Sequence, residues 1–151
     1  MAQSLSKIYL HIIFHVKTTS PKIDECHWER MHSYIGQLIN STDCQTIRVG
    51  EVEDHIHAVC ILSRNENISH LVEEMKRNSS RWIKTLDTKY NSFAWQGGYA
   101  VFSISQSIVD RTVEYVNRQK EHHTKVSFHD EYVKFLNLYN INYNEEYVFS
   151  D

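Results

Sequence analysis

Apolar and polar residues alternate along residues 7–17, where every second side chain from Ile8 to Val16 is hydrophobic. A period of two is typical of a β-strand with one buried face. The other face carries His11 and His15, which we expect either to line the working face of a sheet or to be solvated. The first predicted element is therefore a strand that is apolar on one side and mixed on the other.

Residues 44–62 predict a β-hairpin whose two strands are joined by a turn at Glu53 and Asp54. His55 and His57 follow the turn two residues apart, so both imidazoles point to the same face of the second strand. The apolar residues that alternate with them point to the opposite face. Two adjacent imidazoles above an apolar underside are compatible with half of a metal site, and also with two partly buried histidines that bond to neighbouring groups.

Four further segments repeat apolar residues at three- and four-residue spacing, which predicts helices with one buried stripe each. These predicted helices cover residues 24–40, 68–86, 108–122 and a last segment from residue 127 onward. Residues 93–105 are rich in aromatic and β-branched residues around two glycines, which predicts two short strands with a turn between them. In the third helix, Tyr115 and Gln119 are four residues apart and share a face with His122.

The order of these elements predicts an α+β fold with a ferredoxin-like or RRM-like β-α-β-β-α-β core. In such a core an antiparallel sheet carries helices on one face, and we expect the other face to be open. His55 and His57 would point to that open face, and a C-terminal helix would carry Tyr115. No repeat, low-complexity tract or linker divides residues 1–151, so we expect a single domain with a loosely docked tail from about residue 140.

The composition narrows the choice of partners and compartment. The net charge of −3 argues against the strongly basic surface that binds long duplex DNA, so a nucleic acid would be held locally by a few basic residues. The three cysteines form no Cys-x-x-Cys pair, which argues against a disulfide framework or a cysteine-based zinc site and favours the reducing cytoplasm. No hydrophobic stretch approaches the length of a membrane span, so we expect no membrane partner.

Three segments together resemble the single-tyrosine HUH transposases, the small transposases of the insertion-sequence and REP-associated type. The matching segments are residues 54–57 (Asp-His-Ile-His), 95–99 (Trp-Gln-Gly-Gly-Tyr) with 102–105 (Phe-Ser-Ile-Ser), and 114–119 (Glu-Tyr-Val-Asn-Arg-Gln) with 121–123 (Glu-His-His). The first strand also looks like that of the family, so the resemblance covers nearly the whole chain. The His-x-His motif alone is weak, but its combination with the Tyr-x-x-x-Gln motif is specific.

The resemblance implies an enzyme that cleaves and rejoins single-stranded DNA by metal-assisted transesterification through a 5′-phosphotyrosine intermediate. Tyr115 matches the nucleophile of the family, and His55, His57 and Gln119 match the ligands of a divalent cation, Mg²⁺ or Mn²⁺. His122 lies in the Glu-His-His segment of the family, and we expect a supporting role for it.

The resemblance also implies partners. Family members recognise hairpins at the ends of their elements, and they form homodimers with a joined sheet in which the tyrosine helix can serve the partner's histidine pair. We expect DNA contacts from basic residues on the second and third predicted helices, namely Lys76, Arg77, Arg81, Arg111 and Arg118.

Three other functions stay open on the sequence alone. A domesticated relative would bind a hairpin without cleaving it. A metal-dependent phosphoesterase would use water as the nucleophile, form no covalent adduct and tolerate the change Tyr115→Phe. In a purely structural interpretation, the histidine pair would bind no metal at all.

Overall fold

The computed structural model describes residues 2–123 and 125–150, with the backbone alone for residues 51 and 52, and within them four strands form one sheet. The strands are β1 (Tyr9–His15), β2 (Gln45–Val52), β3 (His55–Ile61) and β4 (Ala100–Ile104). Their order across the sheet is β2-β3-β1-β4, and all neighbours are antiparallel. The two strands that carry the histidines are therefore the central ones.

The register between β1 and β3 brings the histidines to one face of the sheet. Ile13 lies opposite His57, and His15 lies opposite His55. Side chains of directly opposed residues lie on the same face, and alternate residues of one strand share a face, so His11 joins this group. The predicted working face with its histidines is thus observed, and all four of these imidazoles are buried in it.

The opposite face of the sheet packs on two helices, α1 (Glu25–Ser41) and α2 (Ile68–Ile83). Alternate residues of β1 meet the apolar stripes of both helices in the main core, which contains Leu10, Ile12, Phe14, Met31, Ile35, Ile39, Leu71, Val72 and Met75. These helices agree with the expected ones except at their ends, where α2 stops three residues short of the predicted boundary at Leu86. The α+β fold class and the antiparallel sheet with its β-α-β-β-α-β order are confirmed.

The histidine face is covered, and not open as expected. Four helices follow β4, namely α3 (Val109–Asn117), α4 (Gln119–His122), α5 (Phe128–Leu138) and α6 (Glu145–Val148). Tyr132 and Leu136 of α5 pack against Ile13, Ala100 and Phe102 of the sheet in a second hydrophobic cluster. The apolar stripe of α5 supplies the surface that closes this face, so the histidines lie between the sheet and the C-terminal helices.

Two segments complete the description. Residues 93–105 contain one strand, β4, where two were expected, and Trp95 contributes an isolated bridge to Val16. Short 3₁₀ helices span Thr88–Tyr90 and Gln106–Ile108. In the tail, the Phe149 ring stacks on His129 with centroids 4.2 Å apart, and Gln96 donates a hydrogen bond to the Ser150 carbonyl at 2.7 Å.

No helix within the described ranges combines the length and apolar character needed to cross a membrane.

Candidate active site

The imidazoles of His55 and His57 lie fully buried at the centre of the histidine face. Nε2 of His57 lies 2.9 Å from Oε1 of Glu131, and Nε2 of His55 lies 3.1 Å from Oε1 of Gln119. Nε2 of His55 also lies 3.7 Å from Oε1 of Glu131. The two imidazoles, the amide and the carboxylate therefore converge on one point.

Gln119 reaches this point because the predicted helix over residues 108–122 breaks. Arg118 has a non-helical backbone (φ −99°, ψ 15°), which separates α3 from α4. The amide of Arg118 is shared between the carbonyls of Glu114 and Tyr115, both at 3.2 Å. After the break, Gln119 is buried against β3, and its side-chain NH₂ group points back to the Tyr115 carbonyl at 3.4 Å.

Glu131 of α5 is the group that holds the site together, and the sequence interpretation did not include it. Its Oε2 accepts hydrogen bonds from the hydroxyl of Tyr115 and from Nε2 of His123 at 3.2 Å, and it lies 3.0 Å from Nε2 of His122. With Oε1 directed at His57, both carboxylate oxygens are engaged. A signal was present, because Glu131 occupies a position within the apolar stripe of its own helix, where a charged side chain needs a specific partner.

His123 is the second residue that the sequence interpretation missed. Its Nε2 lies 2.9 Å from Oε1 of Gln119 as well as near Glu131. One potential ligand atom from each of four residues lies within 4.8 Å of the others, and these residues are His55, His57, His123 and Glu131. The predicted pair of histidine ligands thus belongs to a larger buried cluster that contains a carboxylate.

The second ring nitrogen, Nδ1, of both His55 and His57 also has a hydrogen-bond partner. Nδ1 of His55 donates to Oδ1 of Asp54 at 2.7 Å, and Nδ1 of His57 lies 2.7 Å from Nε2 of His11. Partners of this kind orient a metal-binding imidazole and select its tautomer. In the tautomer with its proton on Nδ1, His55 presents the lone pair of Nε2 toward the oxygens of Gln119 and Glu131. Three electron-pair donors then face one another, an arrangement that a bound cation would stabilise.

Burial controls the protonation of the cluster. Desolvation lowers the pKa of His57 to about 4 and that of His11 to about 3, so both imidazoles are neutral near pH 7. Burial alone would raise the pKa of Glu131, but the hydrogen bonds from His123 and His57 outweigh it and hold that pKa far below its usual range. Neutral imidazole and ionised carboxylate are the protonation states that bind divalent metals.

Tyr115 lies at the edge of this cluster, beside Glu131 and His122. Its hydroxyl oxygen is 3.2 Å from Nε2 of His122. Burial raises the pKa of Tyr115 well above its usual range, and the hydrogen bond to Glu131 and the charge of that carboxylate raise it further. The phenol is therefore protonated at neutral pH, and it donates its proton to the carboxylate of Glu131.

The basic residues expected to contact DNA divide into two groups. Arg111 and Arg118 line a cleft beside Tyr115, together with Lys125. Arg118 forms a 2.6 Å ion pair with Glu114 across the rim of this cleft. These arginines are therefore next to the candidate nucleophile.

The other three, on α2, lie on the far side of the sheet from Tyr115. The ammonium of Lys76 donates to the carbonyls of Gln96 and Gly98, the latter at 3.0 Å, and desolvation lowers its pKa to about 8. Arg77 forms a 3.0 Å ion pair with Glu73, and Arg81 is exposed. The structure does not bring these side chains to the site, and their contact with DNA stays a prediction.

The family model described as "Transposase IS200 like" matches residues 4–119, a range that includes Tyr115 and Gln119 but not Glu131. A presumed transposase from Deinococcus radiodurans R1 is 16% identical, covers 79% of this chain and 98% of its own, and has a TM-score of 0.59. A REP-associated tyrosine transposase bound to a REP hairpin is 11% identical, covers 83% of this chain and 76% of its own, and has a TM-score of 0.59. No curated protein sequence matches the chain. At these identities, the two structures show a similar fold.

Proposed function

Because the chain belongs to the IS200-like transposase family, we propose that it cleaves and rejoins single-stranded DNA through a 5′-phosphotyrosine on Tyr115. The observation that carries the proposal is a shared carboxylate. Glu131 binds the Tyr115 hydroxyl through one oxygen and the imidazole of His57 through the other. A single side chain thus holds the nucleophile beside the residues that would hold a metal ion, so both would face the same phosphodiester.

The proposed substrate is a DNA hairpin with a single-stranded flank. One of the structures with a similar fold is a tyrosine transposase bound to a REP hairpin, which supports this class of substrate. The cleft beside Tyr115 presents the guanidinium groups of Arg111 and Arg118 to the strand, and Lys125 lies on the same cleft. Such a local set of cations can bind a few phosphates although the net charge of the chain is −3.

We propose His55, His57 and Glu131 as ligands of a divalent cation, with Gln119 supplying its amide oxygen. Two imidazole nitrogens and a carboxylate suit Mn²⁺, whereas Mg²⁺ prefers oxygen ligands throughout. When bound, such a cation polarises the phosphate and offsets the negative charge of Glu131. To offer Nε2 as a ligand, His57 must carry its proton on Nδ1, and Nε2 of His11 is then the acceptor of that proton's hydrogen bond.

The chemical step is a transesterification in which atoms and charges balance. The Tyr115 oxygen forms a bond to phosphorus, and the bond between phosphorus and the 3′ oxygen of the preceding nucleotide breaks. The phenolic proton moves along its hydrogen bond to Oε2 of Glu131 as the oxygen–phosphorus bond forms, and Glu131 then releases that proton to solvent. The leaving 3′ oxygen takes one proton from solvent and departs as a hydroxyl, so no net proton is gained or lost. His122 contacts the Tyr115 hydroxyl and supports its orientation. Rejoining is the reverse reaction by a 3′-hydroxyl.

The experiment that tests this proposal determines which end of the cleaved DNA strand becomes attached to the protein. The full chain is incubated with Mn²⁺ and a hairpin from the flanks of its own gene, labelled at either end, and the products are separated on a denaturing protein gel. We expect a protein band that carries the 3′ label but not the 5′ label, because the 5′ phosphate stays on the tyrosine. Tyr115→Phe should abolish the band, and Tyr147→Phe, at an exposed tyrosine of α6, should retain it.

Two outcomes would contradict the proposal. Cleavage without a covalent band, unchanged in Tyr115→Phe, would indicate a phosphoesterase that uses water. Hairpin binding without any cleavage would indicate a domesticated DNA-binding protein. Titration of the DNA-free protein with Mn²⁺ provides a separate measure of the metal site, because it does not depend on activity.

The homodimer stays a prediction, but the geometry supports cleavage by one chain. Tyr115, Glu131 and His57 of the same chain are in contact. A mixture of Tyr115→Phe and His57→Gln proteins tests this point, since each lacks a different part of the site. We expect no covalent band from the mixture. Restored activity would indicate that the tyrosine helix acts on the histidine pair of a partner.

A further inference from the structure

A second cavity lies beside Tyr115 and is bounded on the sheet side by His11, the neighbour of His57. It has a volume of about 260 Å³ and lies between α3, α5 and the edge strand β4. Aromatic rings form much of its wall, with Phe135 on α5, Tyr139 directly after α5, and Tyr115 on α3. The Phe135 ring is held by a stacking contact with Phe102, with centroids 5.4 Å apart, so this wall is preformed.

Tyr115 and Arg111 line both this aromatic cavity and the cleft that contains Arg118 and Lys125. The candidate nucleophile therefore stands at the junction of two different surfaces. The cleft is lined by three cationic side chains and by the carboxylates of Glu114, which pairs with Arg118, and Glu121. Arg111 and Lys125 are therefore its groups best suited to a phosphodiester backbone. The cavity has apolar and aromatic walls, which suit a planar ring system and not a charged sugar–phosphate chain.

We propose that the aromatic cavity receives the nucleobase of the nucleotide next to the scissile phosphate. This inference rests on the proposed function, because it takes the phosphate at Tyr115 as the reference point. A strand whose phosphate contacts the Tyr115 hydroxyl would continue along the cationic cleft on one side. On the other side its neighbouring base would turn out of the strand and pack on the rings of Phe135 and Tyr139. The cavity thus selects where along the strand cleavage occurs.

Size and charge both favour this occupant. The cavity is smaller than the roughly 300–1,000 Å³ of sites for drug-sized ligands, which agrees with a single base. Leu138 on the rim exposes 69% of its surface, and a base stacked in the cavity would bury part of that apolar surface. Arg111 at the junction is exposed and forms no ion pair with any residue that the structure describes, so its guanidinium is available to the phosphate attached to the bound base.

The test uses the full chain carrying Tyr115→Phe, so that binding is measured without cleavage. The base of each nucleotide in the flank of a labelled hairpin is removed in turn, and affinity is measured by fluorescence anisotropy with Mn²⁺ present. We expect the loss of one base to weaken binding roughly tenfold, as for a base stacked on aromatic rings. Thr112→Trp, which fills the cavity from α3, should weaken binding of the intact strand by a similar factor but leave binding of that abasic strand unchanged.

Two further variants keep the test decisive if Thr112→Trp does not fold. Leu138→Ala shortens an exposed rim residue and should reduce the effect of removing the same base. Ile141→Trp adds an indole at an exposed position that does not line the cavity, and it should bind both strands as the parent does. Equal losses at every abasic position, or equal weakening of both strands by Thr112→Trp, would overturn the inference.

The two proposals can fail separately. If the native chain forms the covalent band but no base shows coupling to Thr112 or Leu138, the cavity is not a base site and the transposase chemistry stands. If coupling appears but no covalent band forms, the cavity binds a base, but the tyrosine chemistry fails and with it the assignment of that base next to a scissile phosphate. If the covalent band forms and one base is coupled to Thr112 or Leu138, that base must adjoin the phosphate at which the native chain cleaves the strand. Coupling of a base at any other position would overturn the inference.

Discussion

The hydroxyl of Tyr115 donates a hydrogen bond to the carboxylate of Glu131, sixteen residues further along the chain. The two residues lie on different helices, α3 and α5, which cross the histidine face of the sheet side by side. The same carboxylate accepts a hydrogen bond from His57 through its other oxygen. The position of the phenol relative to the histidine pair is therefore set by one side chain, and a change at Glu131 must affect both the nucleophile and the candidate metal ligands.

The first prediction concerns the metal affinity of the site. Glu131→Gln preserves the size of the side chain but removes the negative charge and one potential ligand oxygen. We expect the affinity of the DNA-free protein for Mn²⁺ to fall by at least about tenfold, measured by calorimetric titration. Glu145→Gln, an exposed change on α6, is the matched control and should bind Mn²⁺ as the native chain does. An unchanged affinity in Glu131→Gln, with a native unfolding temperature, would remove Glu131 from the ligand set.

The central part of this site could be predicted because it depends on local periodicity. His55 and His57 share a face through the two-residue repeat of a strand, so a short segment of sequence is enough to reveal their relationship. Tyr115 and Gln119 were expected to share a face through the four-residue repeat of one helix, but the structure divides that helix at Arg118 and places them on α3 and α4. The sheet and the two helices on its opposite face follow from the same patterns.

The parts of the site that the sequence did not predict, Glu131 and the helix break at Arg118, depend on tertiary packing. Glu131 is 74 positions from His57, and only the path of α5 across the sheet brings them together. The sequence of α5 predicts a helix with an apolar stripe, but the stripe alone does not indicate which surface of the protein the helix covers. The break at Arg118 has no local cause such as glycine or proline, and it follows from the burial of Gln119 against β3.

The second prediction concerns the contact between the sheet and α3. Gly50 of β2 lies under this helix, and a Cβ atom there would meet Cγ1 of Val116 at 2.6 Å and its carbonyl oxygen at 2.8 Å. We expect Gly50→Ala to lower the free energy of unfolding by about 1–3 kcal/mol, because the backbone oxygen cannot move without displacing α3. Gly97→Ala, where a Cβ meets no atom within 4 Å, is the control and should change stability little. Urea unfolding measures both, and equal stabilities would contradict the close packing of α3 on β2.

The third prediction concerns the pH dependence of stability. His11 and His57 have a depressed pKa in the folded chain, so between pH 6.5 and 5 the unfolded chain binds more protons than the folded one. Stability should therefore fall as the pH falls through this range, by up to about 1.4 kcal/mol per pH unit for each histidine. Glu131 also has a depressed pKa, but its contribution is lost only below the usual pKa of a glutamate, outside this range.

The variant His11→Gln isolates one of the two histidines. The glutamine can still donate a hydrogen bond toward Nδ1 of His57, but it does not titrate. We expect the change in unfolding free energy per pH unit between pH 6.5 and 5 to decrease by about the contribution of one proton, roughly 1.4 kcal/mol. Urea unfolding at several pH values provides the measurement. A slope identical to that of the native chain would show that His11 is already protonated in the folded state.

The fourth prediction separates the two groups of basic residues. Arg111 lies in the cleft beside Tyr115 without an ion pair to any described residue, whereas Arg77 on α2 is paired with Glu73 and Glu74. We expect Arg111→Ala to weaken hairpin binding and to lower the slope of log affinity against log salt by about one, because one phosphate contact is lost. Arg77→Ala tests the expected DNA contact on α2, and because Arg77 is paired with two carboxylates we expect it to change both quantities less than Arg111→Ala does. The measurement is fluorescence anisotropy over a range of salt concentrations with the Tyr115→Phe protein. A larger loss from Arg77→Ala than from Arg111→Ala would instead assign the strand to the α2 side of the sheet.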